Sequence, residues 1–223
     1  MAFEMQEPTR IIALRHGETA WNVDTRLQGQ LDIPLNARGR QQARLVAQAL
    51  LHDEPQLLWS SDLARARDTA AEVAACTGLA LQTDSGLRER NFGIWQGHTY
   101  AEVEQGWPAE SERWRRRESD FGPPGGETLQ QFYDRCLDTV TALARRHAGQ
   151  TLVIVAHGGV LDCLHRAAMR IALNAPRTWE LPNAGINRLL YTGRGYTLIG
   201  WADVHHLDHD ARDESADRVG SAA

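Results

Sequence analysis

Ile11-Ile12-Ala13-Leu14-Arg15-His16-Gly17-Glu18-Thr19 is an apolar run that stops at a cation, an imidazole and a glycine. A stretch this short and rich in isoleucine is too brief for a helix and suits the centre of a parallel sheet covered on both faces. Gly17 lets the backbone turn. In an open α/β sheet, ligands occupy the crevice beyond the strand C-termini, which places Arg15 and His16 at a site rather than in a core. Taken alone, Arg-His-Gly also fits a strand that ends in a hydrogen-bonded histidine. Thr151-Leu152-Val153-Ile154-Val155-Ala156-His157-Gly158-Gly159 repeats the design. Parallel strands align their C-termini on one edge, so His16 and His157 meet there if the two strands are neighbours.

Working outward, the polar loop from Ala20 to Ala37 is long enough to be functional. Ala37 to Leu51 has helical apolar spacing and Leu57 to Ser60 reads as a strand. Ser60-Ser61-Asp62 supplies capping chemistry for a helix from about Leu63 to Cys76. Arg65 then lies in the first turn, where the helix dipole disfavours a cation, a small hint of a ligand; by itself it also fits a solvated surface. A third strand is expected at Leu79 to Leu81, followed by a glycine-punctuated loop from Gly86 to Gly97. Thr99 to Ser119, with Trp114-Arg115-Arg116-Arg117 as a basic knot, reads as a helical insertion or as a charge-laced solvated pair of helices. After the breaker Gly122 to Thr128 come an amphipathic helix over Leu129 to His147 and, beyond the second strand, a helix from Val160 to Leu173. Ile186 to Tyr191 and Tyr196 to Trp201 close the chain as two strands. The tail from Asp203 to Asp210 carries His205, His206 and His209, enough ligand types for a metal; a mobile polar terminus is the plainer reading.

The 223 residues suit one α/β domain, and a formal charge of -5 gives no general attraction to nucleic acid or to anionic membranes. Every basic residue is an arginine, which excludes Schiff-base and P-loop lysine chemistry and leaves planar forks suited to phosphate or carboxylate. Cys76, Cys136 and Cys163 are scattered and read as buried thiols of a reducing cytoplasm. No signal peptide or long apolar span is evident, so the expectation is a cytoplasmic protein with no membrane contact.

The motifs Leu14-Arg15-His16-Gly17-Glu18-Thr19, Ser61-Asp62-Leu63-Ala64-Arg65-Ala66, Leu87-Arg88-Glu89 with Gly93-Ile94-Trp95-Gln96-Gly97, and Val155-Ala156-His157-Gly158-Gly159 together resemble the histidine phosphatase superfamily, whose best-known branch is the cofactor-dependent phosphoglycerate mutases. They run in order from about residue 10 to about 208. The resemblance implies a doubly wound, mostly parallel three-layer α/β/α sandwich, one phosphoglycerate mutase-like domain over 1–223, with an insertion or lid at about 98–126 and a polar tail at about 204–223. It implies His16 as the nucleophile that becomes phosphorylated, Arg15, Arg65 and His157 as the grip on the transferring phosphoryl group, Asn22 as a further donor and Glu89 as proton donor and acceptor. Thr19, Gln28, Gly29, Arg90, Gly158, Arg116 and Arg117 complete the candidate phosphate- and substrate-binding set.

These residue types make chemical sense. A transferring phosphoryl group spreads negative charge over its equatorial oxygens, which two guanidinium forks and an imidazole N–H can bind. Neighbouring arginine charge keeps an attacking imidazole neutral. An alkoxide leaves poorly, so a carboxylic acid should protonate it and later draw a proton from water. Arginine supplies the charge that magnesium supplies elsewhere, so no metal or cofactor is expected for hydrolysis. A mutase would use the same machinery with 2,3-bisphosphoglycerate as primer. Phe92 stands where a mutase of this type carries a tyrosine, and the stretch between Glu89 and His157 is short. Gln28 and Gly125-Gly126-Glu127-Thr128 match the phosphatase branch better, although Arg116 and Arg117 could imitate the mutase cationic pair. The expectation is a phosphatase of small phosphorylated metabolites, with a mutase second and an inactive phospho-ligand binder third. Phe92, Trp95, Tyr100, Trp107 and Trp114 are expected to shape the outer pocket. The oligomeric state is open, a homodimer included.

Overall fold

In the computed structural model, which describes residues 7–207, six strands form one sheet. They are β1 (Thr9–Arg15), β2 (Leu57–Ser60), β3 (Leu81–Thr83), β4 (Thr151–Ala156), β5 (Ile186–Thr192) and β6 (Gly195–Asp203), in the order β3-β2-β4-β1-β5-β6. The first four in that order run parallel, and β5 lies antiparallel to β1 and to β6. Seven helices accompany them among the described residues: α1 (Ala20–Val23), α2 (Ala37–Ala49), α3 (Ala64–Thr77), α4 (Tyr100–Gly106), α5 (Pro108–Arg115), α6 (Leu129–Arg146) and α7 (Gly158–Met169).

The two-residue period of a strand explains why both apolar runs had to be continuous. Ile11, Ala13, Leu152, Ile154 and Ala156 face the layer that contains Phe132, Val140 and Leu143 of α6 and Leu161 and Leu164 of α7. Ile12, Leu14, Val153 and Val155 face Val46 and Ala47 of α2 and Ala66, Ala70 and Val73 of α3. The sheet is thus covered on both sides, as a doubly wound three-layer fold requires. β1 and β4 are direct neighbours, with Leu14 opposite Val155 and Arg15 opposite Ala156. Their C-terminal residues emerge side by side.

Three local expectations are corrected. The third strand starts at Leu81 rather than Leu79, because Gly78 closes α3 in the left-handed conformation and Leu79-Ala80 carry the chain to the edge of β2. α7 starts at Gly158 rather than Val160, with extended His157 as its N-cap. Cys76 is exposed, whereas Cys136 and Cys163 are buried.

Thr99 to Ser119 folds into α4 and α5, which share a small core with residues from neighbouring loops. Leu27, Trp95, Val103 and Phe121 pack together, flanked by Phe92, Trp107 and Trp114. The basic knot is largely matched by local acids: Arg115 bonds Glu104 and Glu112, and Arg116 bonds Glu112. The start of the tail is held rather than loose, since Leu207 is buried and His206 Nε2 bonds the carbonyl of Ala184. His205 pairs with Asp203, and His209 lies outside the described residues. Among the described residues no His, Cys, Asp and Glu cluster is arranged for a metal, and no helix is long and apolar enough to cross a membrane.

Candidate active site

The β1–β4 edge opens into a cavity of about 150 Å³. Arg15, His16, Asn22, Gln28, Gly29, Arg65, Glu89, Arg90, Arg117 and Gly158 all line it. His157 is fully buried directly behind, its ring centroid 5.2 Å from that of His16. Two segments more than a hundred positions apart therefore deliver paired imidazoles to one place. Thr19 and Arg116 do not line the cavity. Thr19 caps α1 from a fully buried position, and Arg116 is turned to solvent beside Glu112.

His16 is fixed by its surroundings. Its amide donates to the Ala156 carbonyl at 3.0 Å and its own carbonyl accepts from Asn183 Nδ2 at 2.9 Å. Nδ1 stands 2.7 Å from the carbonyl of Gly17. A carbonyl only accepts, so Nδ1 carries the hydrogen, and in the neutral ring Nε2 carries the lone pair. Burial, then the charges of Arg65 and Arg15, hold the His16 pKa well below its ordinary value. His157 is depressed by burial first and then by Arg65, His16 and Arg15. Both imidazoles are therefore neutral at pH 7. The two ring nitrogens of His157 are buried with no hydrogen-bond partner among the described residues. Buried polar atoms are normally satisfied, so an orphaned ring beside two arginines marks a place for an anion.

Arg15 donates from Nη1 to the Leu181 carbonyl at 2.5 Å. Arg65 donates from Nη1 to the Leu31 carbonyl at 2.8 Å and from Nη2 to the Gly29 carbonyl at 2.7 Å, while its buried Nε has no partner. Burial draws the Arg65 pKa down to about 10, which still leaves it charged. The loop Gln28–Asp32 that supplies those carbonyls is itself tied to α3, because Asp32 Oδ1 accepts from the Ala64 amide at 2.6 Å. The expected cap was local; the observed one reaches across from this loop. Of the three capping candidates, only Ser61 touches the start of the helix, accepting from Leu63 N at 3.3 Å, while Asp62 forms a bidentate pair with Arg88.

Asn22 belongs to a capping box: Thr19 Oγ1 accepts from its amide at 3.1 Å, and its Oδ1 accepts from the Thr19 amide at 3.0 Å. With Oδ1 engaged, the NH2 is the end of the side chain left to donate. Across the cavity the Glu89 carboxylate is held at both oxygens. Oε1 accepts from the Arg90 amide at 2.8 Å and Oε2 from the Gly159 amide at 3.0 Å, in the first turn of α7. A Cβ at position 159 would fall 2.2 Å from Glu89 Oε1, so glycine leaves the carboxylate room to sit there. Arg90 reaches the Phe121 and Glu127 carbonyls and lies 4.5 Å over the Trp114 ring, so it roots the insertion.

In the outer wall, Phe92, Tyr100 and Trp114 line the cavity with Trp21 and Phe121, whereas Trp95 and Trp107 are absent from it and serve the core of the insertion. Arg117 pairs with Asp162 Oδ2 at 2.8 Å, an oxygen it shares with Arg166. Asp162 and Arg177 also line the site and were not singled out from sequence, since nothing in their immediate neighbours distinguishes them from ordinary helix and loop residues; Gly159, quoted only as the end of the second histidine motif, lines it too.

The profile of the histidine phosphatase superfamily (branch 1) matches residues 11–204. The chain belongs to this superfamily. Phosphoglycerate mutase-like protein 4 of Arabidopsis thaliana is 38% identical over 202 residues, covering 89% of this chain and 86% of the relative. The metal-independent phosphoserine phosphatase of the same plant is 35% identical, covering 90% and 84%. Among solved structures, mycobacterial glucosyl-3-phosphoglycerate phosphatase in complex with VO3 superimposes with a TM-score of 0.77 at 34% identity, covering 87% of this chain and 99% of that one. The superfamily resemblance seen in the four motifs and the doubly wound fold it implied both stand.

Proposed function

We propose that this histidine phosphatase hydrolyses small phosphomonoesters through a phosphohistidine on His16. The observation that carries the reading is the Nδ1 bond to the Gly17 carbonyl, which leaves Nε2 of a neutral imidazole as the nucleophile between two arginines and a second histidine. Arg15, Arg65 and His157 bind the equatorial oxygens, and the Asn22 NH2 adds a donor. Nε2 attacks phosphorus, the P–O ester bond breaks, and Glu89 passes its proton to the departing alkoxide. Water then attacks the phosphohistidine as Glu89 takes its proton, and inorganic phosphate leaves with Nε2 restored. The fixed cations supply the positive potential this transfer needs, so the hydrolysis calls for no metal or cofactor. Residues 1–223 act as one domain with the 98–126 segment as its lid, in the cytoplasm, on a soluble metabolite rather than on nucleic acid or membrane.

The mutase reading, primed by 2,3-bisphosphoglycerate, is the weaker one. Arg116 faces solvent and Arg117 is engaged by Asp162, which takes apart the cationic pair that favoured it. Incubation with 3-phosphoglycerate, with and without the bisphosphate primer, separates the two. Steady release of inorganic phosphate from phosphomonoesters without isomerisation is expected; isomerisation outrunning release would reverse the order.

A further inference from the structure

Glu89 lies on the loop between β3 and α4 rather than at a strand or helix end, and that loop is gripped from behind by a pair of residues that touch neither the cavity nor the carboxylate. Arg135 on α6 and Glu127 just before it form a two-pronged ion pair, Nε to Oε1 at 2.7 Å and Nη2 to Oε2 at 2.8 Å. The remaining bonding capacity of both is spent on the main chain around Glu89. Arg135 Nη1 donates to the Gly86 carbonyl at 2.9 Å and to the Arg88 carbonyl at 3.0 Å, and Nη2 reaches the Glu89 carbonyl at 3.3 Å. Glu127 Oε2 accepts from the Asn91 amide at 2.8 Å, and its own amide donates to the Asn91 carbonyl at 2.9 Å. Gly126 permits this closeness, since a Cβ there would fall 2.5 Å from the Asn91 carbonyl oxygen.

We infer that Glu127 and Arg135 are positioning residues for proton transfer by Glu89, acting through the backbone of Gly86–Asn91; this rests on the reading of Glu89 as the leaving-group acid. The physical argument is one of tolerance. A general acid works only within hydrogen-bond reach of the atom it protonates, and a misplacement of about 1 Å can cost on the order of a hundredfold in rate. The Glu89 carboxylate is aimed by the amides of Arg90 and Gly159, which belong to different segments, so the Arg90 segment must be held at a fixed distance from α7. A planar guanidinium with five donors can bind three carbonyls of one loop and a carboxylate at once, which a lysine could not do. Phosphoryl binding by Arg15, Arg65 and His157 draws on none of these contacts.

The consequence is selective. Esters with an alkoxide leaving group need the acid, whereas p-nitrophenyl phosphate, whose phenolate departs without a proton, does not. The test compares kcat/KM for glycerol 3-phosphate and for p-nitrophenyl phosphate in the parent protein, Glu127→Gln, Arg135→Lys and Glu89→Gln, with Glu127→Gln also placed on Glu89→Gln. A roughly tenfold or larger fall in the alkyl-to-aryl ratio is expected for Glu127→Gln and for Arg135→Lys. No further fall is expected when Glu127→Gln is added to Glu89→Gln, because the second change acts only through the first. Equal losses on both esters, or additive losses in the double variant, would overturn the inference. Should Glu127→Gln fail to fold, Arg135→Lys, which keeps the charge, carries the same comparison. If Glu89→Gln itself leaves the ratio unchanged, the reading of Glu89 as the acid is what fails.

Discussion

At the residue scale, the paired histidines link the site to stability. Both pKa values are depressed in the folded chain, by burial first and by arginine charge second. In the unfolded chain each histidine titrates near 6.5. Below that pH the unfolded state binds more protons than the native one, so stability is fully present above about pH 6.5 and is lost as pH falls toward the folded values. Each such group contributes a slope of roughly 1.4 kcal/mol per pH unit. Urea unfolding between pH 7 and pH 5.5 should therefore show a shallower loss in His157→Asn than in the parent; equal slopes would contradict the electrostatic picture. Gly159→Ala is a second residue-scale test. Its Cβ would meet Glu89 Oε1 at 2.2 Å and Phe132 at 2.9 Å, so hydrolysis of an alkyl phosphate should drop roughly tenfold to a hundredfold as the acid is displaced. Arg15, His16 and His157 drew attention in the sequence because they end apolar strands beside glycine, and Arg65 because it opens a helix, whereas Glu89 was reached only through the superfamily resemblance. The roles of Glu127 and Arg135 were not legible, because their effect passes through main-chain groups that a sequence does not display.

At the element scale, the clearest difference between sequence and structure lies at the start of α3. Local capping chemistry was present in Ser60-Ser61-Asp62, yet Asp32, thirty-two positions upstream of Ala64, makes the short bond to the Ala64 amide while Asp62 is committed to Arg88. A local reading finds helix starts and misses partners supplied by tertiary structure. The bond also pins the loop whose Gly29 and Leu31 carbonyls hold Arg65. Asp32→Ala is expected to cost about 1 kcal/mol of stability, as lost caps do, and to raise KM for phosphomonoesters by loosening Arg65. Asp62→Ala should leave the helix start capped and KM unchanged. Thermal unfolding and steady-state kinetics on the pair check both statements, and a rise in KM confined to Asp62→Ala would refute the assignment.

At the scale of the whole molecule, two apolar runs with the same ending were enough to fix a covered sheet, and their adjacency as β1 and β4 creates the site. The sheet order as a whole was not legible in that way. The antiparallel β5 and β6, which flank β1 on the side away from β4, have mixed burial and irregular register, so their pattern says less about where they belong. Ile154→Ala, in the fully buried centre of β4, should lower stability by about 2–5 kcal/mol with KM of the folded enzyme little changed. The measurement that bears most directly on the account is acid-free quenching after rapid mixing with a phosphomonoester carrying labelled phosphate. The account predicts acid-labile, base-stable label on His16 that disappears, together with turnover, in His16→Ala. Label on another residue, or full turnover by His16→Ala, would contradict it.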